Sequence, residues 1–407
     1  MLVWGRGRHL AGAFLLIMAG WSAAYAVSQS DSGPAALGGA PITVGILHSR
    51  TGTMAVSERT VIDATLHAID ELNRQGGVLG RAVKPIVVDG RSDWGVFAAG
   101  AEQLITVDKV SAVFGCWTSA CRRTVKPIFE RHDAVLFYPV QYEGLETSAN
   151  MFLVCSVLVF PGTANKIITS QVTALKGEVV GEAYAPLGAQ NFDAIVDQIR
   201  QARPDVIFNT INGDSNLGFH RALRAAGITP AQSPVMSFSI AEAEVKAIGP
   251  DIMTGDYAAR NYFQTVDTPE NRAFVAAFKA RYGRDYVTTA PMEAAYFGVM
   301  LWARAVREAG SADFRDYRAT IKGQSMAAPG GTVTIDPATQ HTWKTVRIGR
   351  IRPDGDFEIV WDSQRPVRPV PYPSLLPRSE WAEFLDGLYQ SWGNNWAAPS
   401  PAPEGRP

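Results

Sequence analysis

Phe114-Gly-Cys-Trp-Thr-Ser119 runs straight into Ala120-Cys-Arg-Arg-Thr-Val-Lys-Pro-Ile-Phe-Glu130, and Leu136-Phe-Tyr-Pro-Val-Gln-Tyr-Glu-Gly144 follows it. Each begins as a short apolar strand and ends in aromatic, hydroxyl or small residues, and the first continues as a helix. In an open parallel α/β sheet, the carboxyl ends of neighbouring strands form the crevice that holds a ligand. Helix amino termini at that edge offer unpaired N–H groups to oxygen-bearing molecules. Hydroxyls, an aromatic plane and free amides suit a small, neutral, planar molecule. No nucleophile with a base accompanies them, so the pattern reads as capture rather than chemistry.

Working outward, the chain alternates strand and helix on both sides of this stretch. Strands are predicted at 42–47, 83–89, 110–115 and 134–138, with helices at 60–73, 96–107 and 121–131 between them. Gly76-Gly77 closes the first helix. That order predicts a parallel sheet with right-handed crossovers. A second series is predicted after Asn150. Its strands are 151–160, 178–184, 205–210, 234–238 and 256–262, and its helices 163–175, 192–202, 216–226 and 241–248. Long helices at 269–282 and 290–309, a strand at 331–335, a hairpin of 345–351 with 357–361, and a helix near 380–388 complete the reading.

The amino terminus has the pattern of a secretory signal. Arg6, Arg8 and His9 precede the apolar run 10–19, and Ala24-Tyr-Ala26 fits a small-x-small cleavage site. Removal of 1–26 takes away two arginines and no acidic residue, leaving 36 basic and 39 acidic side chains. Such a balance gives no basic face for nucleic acid. Three cysteines, Cys116, Cys121 and Cys155, are too few for a disulfide-built scaffold. Strand-end and helix-start geometry allows a Cys116–Cys121 bridge, while a buried free thiol is the commoner state.

Taken together, these stretches resemble a known family. Ile42-Thr-Val-Gly-Ile-Leu-His-Ser-Arg-Thr-Gly-Thr-Met-Ala55, Gly76-Gly-Val-Leu-Gly80, the two stretches quoted first, Asn209-Thr-Ile-Asn-Gly-Asp-Ser-Asn216, Met236-Ser-Phe-Ser-Ile-Ala-Glu242, Asn261-Tyr-Phe-Gln-Thr-Val-Asp-Thr-Pro-Glu270 and His341-Thr-Trp-Lys344 are similar to a type I periplasmic binding protein. The class is that of branched-chain amino acid ABC transporters, in the subgroup that binds urea and short-chain amides. The resemblance implies an α/β protein of two lobes, each a mainly parallel sheet flanked by helices. It implies an exported, periplasmic receptor that delivers urea or a short-chain amide to an ABC permease with its ATPase subunits, with no cofactor. Carried onto this sequence, the first lobe's ligand-binding residues are Trp117, Thr118, Ser119, Tyr138, Val140 and Gln141. The second lobe's are Asn212, Gly213, Asp214, Ser239 and Glu242.

The expected division is a signal at 1–26, a leader at 27–40, lobe one at 41–150 plus 267–330, lobe two at 151–266 plus 331–385, and a tail at 386–407. One departure from the family pattern stands out. A crossover and helix expected after Asn150 are missing, and Val157 and Leu158 occupy positions that are polar and ligand-facing in the family. A parallel return normally needs a dozen or more residues. Either the second lobe has lost an outer unit, or the strand at 152–160 enters the sheet differently; a shortened second lobe is expected to bind more weakly and to leave an exposed sheet face prone to self-association.

Several features carry blander readings. Ser119 sits where a helix cap sits, and Asp214 and Glu242 are as well placed to cap the helices after them as to accept ligand N–H groups. His48 and His341 belong to no cluster with metal-ligand spacing, so no metal is expected. The glycines at 76–80 follow a helix rather than a strand and fail the dinucleotide context. Ser49 and Ser57 lack an elbow sequence, so no enzyme is expected. An amide sensor and a paralogue with altered or lost ligand binding are the alternative functions.

Overall fold

The computed structural model describes residues 37–154 and 161–396. The first series is β1 (Ile42–His48), α1 (Ala55–Arg74), β2 (Val83–Asp89), α2 (Trp94–Thr106), β3 (Val113–Gly115), α3 (Ser119–Arg131), β4 (Leu136–Tyr138) and β5 (Met151–Leu153). These strands form a parallel sheet of order β2-β1-β3-β4-β5. Alternation along each strand sends residues to opposite faces. Ile42, Val44, Ile46, Phe114, Phe137 and Phe152 enter one core with α1, and Leu47, Val113, Leu136, Met151 and Leu153 enter a second core. Both faces being covered explains why these strands read as nearly continuous apolar runs. Phe114, Phe137 and Phe152 stack along the sheet at centroid spacings of 5.0 and 5.3 Å.

The second series is α4 (Pro161–Ala174), α5 (Asp193–Ala202), β6 (Ile207–Asn209), α6 (Ser215–Ala225), β7 (Val235–Ser237), α7 (Glu242–Ile248), α8 (Pro250–Met253) and β8 (Tyr257–Arg260). The chain then returns as α9 (Pro269–Tyr282), α10 (Ala290–Ala309) and α11 (Phe314–Tyr317). It continues through β9 (Ser325–Ala328), β10 (Gly331–Ile335), β11 (Thr342–Trp343), β12 (Arg347–Ile351), β13 (Phe357–Asp362) and α12 (Arg378–Ser391). The second sheet has the order β13-β12-β8-β7-β6, with β6, β7 and β8 parallel and the hairpin antiparallel at one edge. α10 packs on the first sheet, placing Phe297 and Trp302 in the same core as Phe114. The molecule is a two-lobed α/β fold.

Three expectations change. β5, read as the start of the second series, completes the first sheet beside β4. The return from β4 to β5 is made by residues 139–150 without a helix, an extended loop held by an ion-pair network described below. No strand forms at 178–184; these residues are exposed along their whole length and pair with nothing in the sheet. Val179, Val180 and Tyr184 have strand propensity, but a strand needs a partner edge and a face to bury. β6 is consequently the sheet edge, and Phe208 is left 42% exposed. Finally, β10 belongs to a separate antiparallel sheet, β11-β10-β9, whose Ala328, Val333 and Ile335 pack into the first lobe's core rather than joining the second lobe. Residues 1–36, the pair Val157 and Leu158, Cys155, and the tail from 397 lie outside the described residues.

Candidate functional site

The two sheets present their carboxyl ends to a common cleft. It is lined by Trp117, Thr118, Ser119, Val140 and Gln141 from the first lobe, and by Asn212, Phe238, Ser239 and Arg260 from the second. On the first side the sequence builds a tight strand-to-helix turn. A Cβ at Gly115 would lie 2.4 Å from the Leu47 carbonyl, so only glycine lets β3 approach β1 there. Cys116 follows in a left-handed conformation, with φ of 64°. Its sulfur is bonded to that of Cys121, closing the turn that carries Trp117 to Ser119. The bridge that sequence reasoning left open is thus formed. Thr118 caps α3, its Oγ1 accepting from the Cys121 N–H at 3.1 Å.

Ser119 is occupied differently from either expectation. Its hydroxyl donates to Glu143 at 2.5 Å and accepts from Arg122 at 3.1 Å. The cap is Thr118, and the Ser119 proton is held by a carboxylate rather than turned to the cleft. Tyr138 lies beneath the cleft, fully buried, with its hydroxyl given to the Trp117 carbonyl.

Arg122 is the hub of this wall and went unnoticed in the sequence, where a basic residue in a helix reads as solvated. It is fully buried, donates to Glu143 at 3.0 Å and to Glu146 at 2.7 Å, and lies over the Tyr142 ring at 4.1 Å. Burial by itself would raise the Glu146 carboxyl, but Arg122, Arg123 and Lys126 outweigh it and hold it down at about 2. The same contacts fix loop 139–150, which delivers Val140 and Gln141. Tyr142 reaches His341, whose imidazole is pushed down to about 4 by burial.

On the second side, Asn209 and Asn216 shape the turn after β6. Asn209 Nδ2 donates to Asn216 Oδ1 at 2.9 Å, and Asn216 donates back to the Ile211 carbonyl at 2.9 Å. That places Asn212 in the cleft lining. Ser239 gives its hydroxyl to the Ile211 carbonyl. The two lobes meet across the cleft where Gln141 Nε2 donates to the Phe238 carbonyl at 2.5 Å.

Besides Tyr138, three expected site residues lie outside the lining. Gly213 is outside the lining and faces the first lobe, where a Cβ on it would come within 3.0 Å of the Thr53 carbonyl. Asp214 begins α6 without a side-chain cap bond and does not line the cleft. Glu242 is buried behind it, accepting from the Gln264 N–H at 2.7 Å where β8 leads into α9. Burial pushes its carboxyl up to about 8, a group held uncharged rather than displayed to a ligand. Phe238 and Arg260 are the lining residues the sequence reading missed. Both stand at the carboxyl ends of β7 and β8, the position that the crevice rule marks for contact.

The chain matches the periplasmic binding protein domain over residues 42–156 and 149–378. The chain belongs to this family. Among curated proteins it is 35% identical over 152 residues to a limonene hydroxylase of Geobacillus stearothermophilus, covering 37% of this chain and 28% of that protein. It is 25% identical over 198 residues to Leu/Ile/Val-binding protein homolog 6 of Brucella melitensis, covering 47% and 50%. The aligned stretches thus span about a quarter and half the length of these relatives. Among solved structures, a solute-binding protein of an ABC transporter from R. palustris, in complex with 4-hydroxybenzoate, superposes with a TM-score of 0.72 at 22% identity, covering 80% of this chain and 98% of that one. At that identity the likeness concerns the fold. The family is that of periplasmic binding proteins, and the fold agrees with it. Among the described residues of this periplasmic binding protein, no helix is long and apolar enough to cross a membrane.

Proposed function

We propose that this periplasmic binding protein captures urea or a short-chain aliphatic amide between its lobes and delivers it to an ABC permease with its ATPase subunits. The observation that carries the reading is the chemistry of the cleft lining. Trp117 and Phe238 supply aromatic surface, Gln141 and Asn212 supply carboxamides, and Thr118 and Ser239 supply hydroxyl-bearing side chains. Among the described residues, no aspartate or glutamate lines the cleft, so the α-ammonium group of an amino acid would lack the carboxylate partner that a buried charge needs. A neutral amide makes no such demand. The signal pattern at 1–26 and the family's periplasmic location agree with export, as does the Cys116–Cys121 bridge, since disulfides persist in oxidising compartments.

Arg260 supports a second reading, a small carboxylate ligand, because it is the charged residue in the lining. Isothermal titration of the mature protein with urea, formamide, acetamide, leucine and 4-hydroxybenzoate decides among them. Heat from urea or an amide supports the proposal. Binding of leucine or 4-hydroxybenzoate with no amide response overturns it, and silence to all five favours a paralogue with a changed ligand.

A further inference from the structure

Away from the cleft, a second polar contact joins the lobes. Ser57 lies in the first turn of α1 and Glu244 in α7, and the Ser57 hydroxyl donates to Glu244 Oε1 at 2.6 Å. Both residues are buried, and neither lines the cleft. The other carboxylate oxygen of Glu244 accepts from the Ala241 N–H at 3.0 Å, so the acceptor is fixed by its own helix start. Beside the pair the first lobe is seated on the second, with the Thr53 carbonyl against Gly213 and Met54 fully buried.

We propose that Ser57 and Glu244 form a closure latch that holds the lobes partly shut before solute arrives, and so set affinity from outside the cleft. Ser57 belongs to one lobe and Glu244 to the other, so a hinge opening parts them and returns both to water, whereas closure restores the bond in a buried setting. An interaction made in only one of two states shifts the population toward that state. The apparent dissociation constant of any solute that needs the closed form scales inversely with the closed fraction. Removing the hydroxyl leaves a buried carboxylate oxygen short of a donor whenever the lobes close, which disfavours closure.

The test compares the mature wild-type protein with Ser57→Ala and Ser57→Thr. Small-angle scattering without any solute is expected to give a larger radius of gyration for Ser57→Ala and a wild-type value for Ser57→Thr, which keeps the donor. A wild-type radius for Ser57→Ala overturns the latch. Since this arm uses no ligand, its failure is separate from failure of the urea and amide reading. For whichever solute binds, Ser57→Ala should weaken affinity about tenfold through faster release, with Ser57→Thr restoring it. Unchanged affinity in Ser57→Ala overturns the proposal equally.

Discussion

Trp117 shows how one residue serves fold and cleft together. It is 6% exposed, its carbonyl receives the Tyr138 hydroxyl, and it packs in the same core as Cys121 and Val140. Trp117→Ala should therefore cost stability, about 3–5 kcal/mol on the scale of buried aromatic truncations, which would confound any binding measurement. Trp117→Phe retains most of the apolar volume. It is expected to keep the melting temperature within a few degrees while weakening solute binding, read by calorimetry on the same samples. A wild-type affinity in Trp117→Phe would make the indole a core group with no part in capture. Glu242 gives a second residue-scale expectation. Its carboxyl rises from an ordinary value near 4.5 to about 8 because it is buried. A raised carboxyl contributes stability that is full below the unfolded value and is lost as pH climbs through the folded one. Unfolding free energy should thus fall between about pH 4.5 and 8, by on the order of 5 kcal/mol from this group. Glu242→Gln keeps an acceptor for the Gln264 N–H and carries no charge, so denaturant titrations across that range should lose most of the slope. A slope equal to the wild type would assign the pH dependence to other groups.

At the scale of elements, what could be read depended on whether a signal was local. β1 to α3 were legible because short apolar runs, helical spacing and the glycines at 76–77 are signals that lie within single segments. Segment 178–184 was not, since its valines and tyrosine look like a strand while the partner edge is a property of the whole sheet. Phe238 and Arg260 were missed for a related reason. Each falls inside a predicted strand, 234–238 or 256–262, and only the packing of two lobes brings them into one lining with Trp117. The carboxy-terminal helix makes its own prediction. Trp381 is fully buried against Leu145 and Ile167, and its Nε1 donates to the Pro373 carbonyl at 2.9 Å. Just before it, the Pro371 carbonyl accepts from the Leu145 N–H at 2.6 Å and sits where a Cβ on Gly144 would be 2.5 Å away. The segment thus pins the loop that carries Val140 and Gln141. Gly144, at φ of 79°, tolerates no side chain on either count. Gly144→Ala should lower the melting temperature and raise hydrogen exchange in loop 139–150, while exchange in β1 and β2 stays as in the wild type. Equal protection of the loop in both proteins would mean the pin is dispensable.

At the scale of the whole molecule, the two lobes are joined by segments that pass between them. One of these, between β11 and β12, carries Lys344, whose ammonium donates to Glu293 on α10 at 2.5 Å with both side chains buried. Glu293 also accepts from the Gly330 N–H at 3.2 Å, and Arg347 donates to the Gly330 carbonyl at 2.9 Å. The pair therefore ties the returning strands to α10. A buried ion pair is weak evidence of net stabilisation, because desolvating two charges offsets most of their attraction, but removing one partner strands the other. Lys344→Met should accordingly lose about 3–5 kcal/mol of unfolding free energy, leaving the Glu293 carboxylate buried without its cation. Combining it with Glu293→Gln removes the stranded charge and keeps the acceptor for Gly330, and most of the loss should be recovered. Chemical denaturation of the two single variants and the double variant measures this as a coupling energy. If the single variants cost under about 1 kcal/mol, the scale of an exposed pair, solvent reaches the crossing and the segment is looser than its burial implies. Strong coupling would instead make this crossing a rigid pivot, with lobe motion confined to the segments on either side of it.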